Sequence, residues 1–269
     1  VHHHRAVLRE LVDRVSDPAR LVHHATRAGD RDTLNRHAAA AAAQAVSAGS
    51  HRQASAHFAL LLEDADRLDP RQVAECRAAW AYSLYVINEF GAATQVAEAA
   101  VRSWEQVDDL RGLASASITL SMASFWTRGP TAAAAAAERA IAVFDRLDDV
   151  AGLAHGYTAL ARAHSNLATL GSVAEPSPAG LELARRAVEL ADRAGHDDLR
   201  SIALIYRGSS RLALGDPGGA DDLVEALRLT EDDPRAEFYM RSCVQAAGSA
   251  YRDGRIEAAL DYVELGLRR

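Results

Sequence analysis

The sequence predicts an all-α fold, a helical-repeat solenoid whose antiparallel helix pairs stack into a right-handed superhelix. Three observations lead there. About a fifth of the chain is alanine, the strongest helix former. Apolar residues return at helical spacing, as in Ala97, Ala100, Val101 and Trp104, or Leu181, Ala184, Val188 and Ala191. A block also recurs. Residues 97–120 overlay residues 137–160, matching Ala97 to Ala137, Trp104 to Phe144, Gly112 to Gly152 and Leu120 to Leu160 at a period of 40. One helix pair is too small to bury its own apolar face, so repeated pairs must stack.

Taken in order, helices are expected near 3–15, 18–28, 32–48, 51–67, 71–87, 91–107, 110–127, 130–147, 150–169, 178–194, 198–214, 217–230, 234–252 and 255–268. Their starts are marked by an acid before a proline: Asp17-Pro18, Asp69-Pro70, Asp216-Pro217 and Asp233-Pro234. Ser177-Pro178 and Gly129-Pro130 repeat the signal with other caps. Glycines 29, 49, 171, 195, 215 and 254 fall at or just past the stops. Strand-like alternation and β-branched runs are missing.

The period is carried by "VDDLRGLA" at 107–114 and "LDDVAGLA" at 147–154, with looser copies "HDDLRSIA" at 196–203 and "EDDPRAEF" at 231–238. The third copy lies 49 residues after the second, and the excess of nine matches an inserted loop, "GSVAEPSPA" at 171–179. Paired carboxylates suit metal binding or acid–base chemistry. They also suit helix capping, where Asp accepts backbone N–H bonds at the positive end of the helix dipole. All four pairs fall between helices and would lie one repeat apart, so capping is the reading adopted.

Composition removes several functions. Net charge is −7, and all 30 basic residues are arginine. Without lysine there is no Schiff base and no complete phosphate-binding P-loop. The acidic balance argues against direct nucleic-acid binding. Cys76 and Cys243 have no metal spacing and fit a reducing cytoplasm. No apolar run is long enough to span a membrane. The eleven histidines show no HExxH, and His23-His24 project to different faces of one helix, so no metal ligands are assigned. The triplet His2–His4 fits native sequence and a tag remnant alike. No catalytic constellation is found, and a non-enzymatic role is expected. The aromatics stand out instead. "WAYSLY" at 80–85 and "FW" at 125–126 sit late in the first helices of their pairs, which line the concave face of a solenoid. Tyr82, Tyr85 and Trp126 are therefore groove candidates, with Arg162, Asn166 and Arg207 on later helices. The same rings also suit gaps in the core between repeats.

The stretch from His4 to Leu68, which includes "DPARLVHHATRAGD" and "AQAVSAGSHRQASAHF", resembles the large ATP-binding LuxR-type transcriptional regulators, the family of the maltose regulator. Asp17–His24, Gly29-Asp30 and Ala42 through Phe58 carry the match. The closing "GRIEAALDYVELGL" at 254–267 resembles a tetratricopeptide second helix. The resemblance implies a tetratricopeptide-like array at 31–269 with its insert at 171–179. Residues 1–30 would be a helical linker from an ATPase module upstream. It also implies a part of a longer protein, cytoplasmic, with ATP and DNA handled by other domains and no cofactor in this segment. The expected role is a sensor binding a small-molecule inducer or a regulatory protein or peptide in the groove. The alternative is a scaffold for self-association or interdomain docking, with a homo-oligomer as its product.

Overall fold

A computed structural model describes residues 2–12, 17–164, 177–231, 236–252 and 254–268. Its elements are α1 (His2–Val12), α2 (Pro18–Ala28), α3 (Arg31–Ser47), α4 (His51–Leu62), α5 (Pro70–Val86), α6 (Phe90–Val107), α7 (Leu110–Thr127), α8 (Pro130–Arg146), α9 (Val150–His164), α10 (Pro178–Ala194), α11 (Asp197–Ala213), α12 (Gly219–Thr230), α13 (Ala236–Arg252) and α14 (Ile256–Leu267). No strand occurs among the described residues. The fold is all-α and tetratricopeptide-like. Each helix from α1 to α6 packs on the next, as does each from α8 to α14. Helix α11 also touches α9 and α13, so the first helices of successive pairs lie side by side. None of the described helices is long and apolar enough to cross a membrane.

The chain forms two compact units, residues 1–123 and 124–269. In the first, Leu8, Leu21, Val22 and Ala25 share one core with Leu34, Ala38, Phe58, Leu61 and Cys76, so α1 and α2 are continuous with the repeats that follow. A second core joins Ala74 of α5, Ala100, Val101 and Trp104 of α6, and Ala116 of α7. In the second unit Ala161, Ala184, Ile202 and Tyr206 join α9, α10 and α11. Val188, Leu204, Leu223 and Ala246 carry the packing on to α13. Small residues bring backbones together. A Cβ on Gly208 would stand 2.6 Å from the Gly219 carbonyl oxygen, so α11 and α12 touch main chain to main chain.

The caps explain why helices begin where they do. Asp17 accepts from Ala19 N at 3.1 Å, Asp69 from Arg71 N at 2.9 Å, and Ser177 from Gly180 N at 3.1 Å, each with a proline opening the helix. The acid pairs divide their work. Asp109 Oδ1 accepts from Gly112 N at 2.9 Å and Asp149 Oδ1 from Gly152 N at 3.0 Å, each opening a helix. Their predecessors Asp108 and Asp148 close the previous helix in the left-handed region, at φ 57° and 50°.

Three expectations are revised. The helix expected over 51–67 ends at Leu62, and Ala65–Arg67 forms a 3-10 turn. There Asp64 is drawn onto α3 by Arg31 Nε at 3.1 Å and Asn35 Nδ2 at 3.2 Å. The start expected at Pro217 moves to Gly219, because the Asp216 carboxylate binds Arg211 and Gly218 N and holds a turn. The third acid pair does not bridge two helices. Gly195 takes the left-handed position, His196 precedes the helix, and Asp197-Asp198 lie in the first turn of α11. Asp232-Asp233, Pro234, Gly171 and most of the insert at 171–179 lie outside the described residues.

Candidate interaction site

In the first unit, Tyr82 and Tyr85 lie on α5 with ring centres 6.5 Å apart. Tyr82 is half-buried and meets His51 of α4 edge-on at 6.0 Å. Tyr85 is 8% exposed and packs on Phe90 of α6 at 5.7 Å, so its ring belongs to the core. His51 Nδ1 lies 3.4 Å from Ser83 Oγ. Ser83 is fully enclosed, so this contact offers a nucleophile no route to substrate. Trp80 turns inward and donates from Nε1 to Ser55 Oγ at 2.8 Å.

In the second unit, the structure brings Trp126 and Arg162 together. The Arg162 guanidinium on α9 lies 4.7 Å from the Phe125 ring centre and 5.7 Å from that of Trp126. Phe125 and Trp126 meet edge to face at 5.4 Å. Arg162 is 6% exposed while Trp126 is 45% exposed. A buried cation thus backs an aromatic surface open to solvent, and cation–π attraction strengthens as the cation is desolvated. Phe125 belongs to this site although it was not singled out. Its signal was the "FW" dipeptide itself, whose two rings a single cation can span.

Arg207 is placed differently. Its Nε and Nη2 grip Asp222 of α12 at 2.9 and 2.7 Å. Asp222 is buried and also accepts from Arg211 Nη1 at 3.2 Å. Arg211 reaches on to Asp216, at 2.8 Å from Nε. That bond holds the Asp216 carboxyl below the usual carboxylate range and raises Arg211. Arg185, Glu189, Arg207, Arg211 and Asp216 line an open cleft of about 360 Å³. Sequence reasoning missed Asp222, although "DDL" at 221–223 repeats the triplet at 108–110. The same letters serve here as a buried counter-ion. Asn166 lies outside the described residues.

No protein-family model matches the chain, and no curated protein matches it. Solved structures do. BtubC (BKLC) from P. vanneervenii is 19% identical with a TM-score of 0.58, over 82% of this chain and 91% of that one. A Rap protein complexed with Competence and Sporulation Factor is 10% identical with a TM-score of 0.62, over 98% and 78%. The apo form of RapI is 13% identical with a TM-score of 0.50, over 98% and 68%. At these identities the likeness establishes a shared helical-repeat fold.

Proposed function

We propose that this chain is a non-catalytic interaction module that seats a regulatory protein or peptide against Trp126, whose ring Arg162 backs. One observation carries the reading: a tryptophan 45% exposed, fixed from behind by an arginine that is 6% exposed. Tryptophan is enriched at interface hot spots, and its rigid ring buries much area at low entropic cost. Holding the ring before binding lowers that cost further. A relative solved with Competence and Sporulation Factor supports the idea that this kind of fold accepts a regulatory partner, by analogy of fold. The residues at the site supply stacking faces and guanidinium groups rather than a nucleophile with its base, which supports a binding role over an enzymatic one.

The finer reading is the sensor array of a LuxR-type transcriptional regulator in the bacterial cytoplasm, with ATP and DNA handled by other domains. The His4–Leu68 block alone supports it. A small inducer would serve as an alternative ligand of the same surface. A second reading, a scaffold that self-associates, is favoured by the exposed apolar residues of α13 and α14. Calorimetry on peptides selected from an arrayed library tests the leading reading. Trp126→Ala should weaken the best peptides by about 2 kcal/mol or more, near thirtyfold. Tyr82→Ala maps whether the first unit contributes. A library with no binders, or binders indifferent to Trp126→Ala, would remove the partner from this surface.

A further inference from the structure

Four imidazoles converge where α1 meets α2, far along the chain from the residues considered above. His4 Nδ1 lies 2.9 Å from His24 Nδ1. The ring centres of His4 and His24 are 5.0 Å apart, those of His23 and His24 5.2 Å, and those of His4 and His23 5.8 Å. His3 stands a further 5.8 Å from His4. Adjacent residues on one helix diverge by about 100°, so His23 and His24 alone would not form a site. The ring of His4, arriving from α1, is what closes the triangle.

We propose that His4, His23 and His24 bind one divalent transition-metal ion of the class that imidazole favours, with Zn²⁺ as the probe. At metal–nitrogen distances of about 2.0–2.1 Å and tetrahedral angles, two ligand nitrogens stand about 3.3 Å apart and their ring centres about 5 Å apart. The facing nitrogens are 2.9 Å apart, so a shift of a few tenths of an ångström admits the ion. Among the described residues no group of three such side chains is yet placed to hold a metal ion. Two of the ring-centre spacings, 5.0 and 5.2 Å, are near the required value, and the third, 5.8 Å, must close. Rotation about Cβ–Cγ re-aims ring nitrogens while leaving the ring centre almost in place, and His23 is exposed and has room to turn. His3 or water completes the coordination.

Binding through the facing nitrogens needs both rings neutral, as Nε2–H tautomers. The bound ion would add a tie between two helices of 11 residues each, which already share apolar contacts such as Leu8 and Leu21 and a hydrogen bond from Arg5 Nε to the Ala28 carbonyl oxygen.

The test is calorimetric titration of the 269-residue chain, prepared without an added tag, with Zn²⁺ alone. One equivalent should bind, and thermal unfolding should move upward with Zn²⁺ concentration. His4→Gln, His23→Gln and His24→Gln should each weaken binding about tenfold or more, the loss that even an outer partner of a metal ligand brings. His164→Gln, an exposed histidine elsewhere, should leave it unchanged. Helical circular dichroism of each variant separates lost ligation from lost folding. Absence of saturable uptake by the wild type, or a His24→Gln variant that is folded and binds as the wild type does, overturns the proposal.

Discussion

His57 of α4 is half-buried, and neither ring nitrogen meets a hydrogen-bond partner. Burial pushes its pKa below the ordinary histidine value. The sign of its linkage follows. A pKa lower in the folded state than in the unfolded one means that the unfolded chain binds the extra proton first. Stability is then complete above the unfolded value of about 6.5, and it falls as pH drops toward the folded value. His57→Leu should therefore lose less urea resistance between about pH 7.5 and 5.5 than the wild type loses. Equal losses in the two proteins would show that His57 contributes nothing to acid sensitivity. Nothing in the sequence marks His57 out from the other histidines, because exposure and partners are set by the fold. Asp222 teaches the same lesson. Its triplet is legible, but its burial between two arginines depends on Gly208 and Gly219 letting α11 and α12 touch.

At the scale of elements, the sequence was most legible where local chemistry dictates structure. Asp17-Pro18, Asp69-Pro70 and Ser177-Pro178 each open a helix as their chemistry requires. Errors arose where an arginine engaged the acid at a helix boundary, as Arg211 does with Asp216 five residues on and Arg31 of α3 does with Asp64. The repeat also held a contact that alignment alone does not reveal. Trp104 lies over Gly112 in one copy and Phe144 over Gly152 in the next, so a large ring and an absent side chain recur together, eight residues apart. Gly→Ala within a helix ordinarily gains up to about 1 kcal/mol. Here the new methyl of Gly152→Ala would clash with the Phe144 ring, and overpacking of that kind costs about 1–3 kcal/mol. Denaturant unfolding should show net destabilisation of Gly152→Ala. The penalty should shrink when Phe144→Ala is the background, and a penalty that persists there would place the cause elsewhere.

For the whole molecule, fold class and helix order were readable because periodicity, caps and the 40-residue repeat all agree. The candidate site was readable only in part. Which face a ring presents changes with a slip of one residue along a helix, and that is why Tyr85 lies in the core while Trp126 lies at the surface. The last helix offers a property of the assembled chain. Ile256, Leu260, Val263 and Leu267 form an exposed apolar stripe on α14, and Val244 and Tyr251 on α13 are exposed as well. Apolar stripes of this kind mark contact surfaces. If the scaffold reading is right, sedimentation should show concentration-dependent self-association that Leu260→Glu abolishes. A wild-type chain that stays monomeric at high concentration would set that reading aside. The three tryptophans have a consequence of their own. Trp80 is hydrogen-bonded and half-buried, Trp104 is enclosed at 7% exposure, and Trp126 is open to solvent at 45%. The first two belong to residues 1–123 and the third to residues 124–269. The emission spectrum is therefore divided by unit: a quenchable, red-shifted component reports on the second, and a protected, bluer component reports on the first. One unlabelled sample can thus follow the melting of each unit by its own colour.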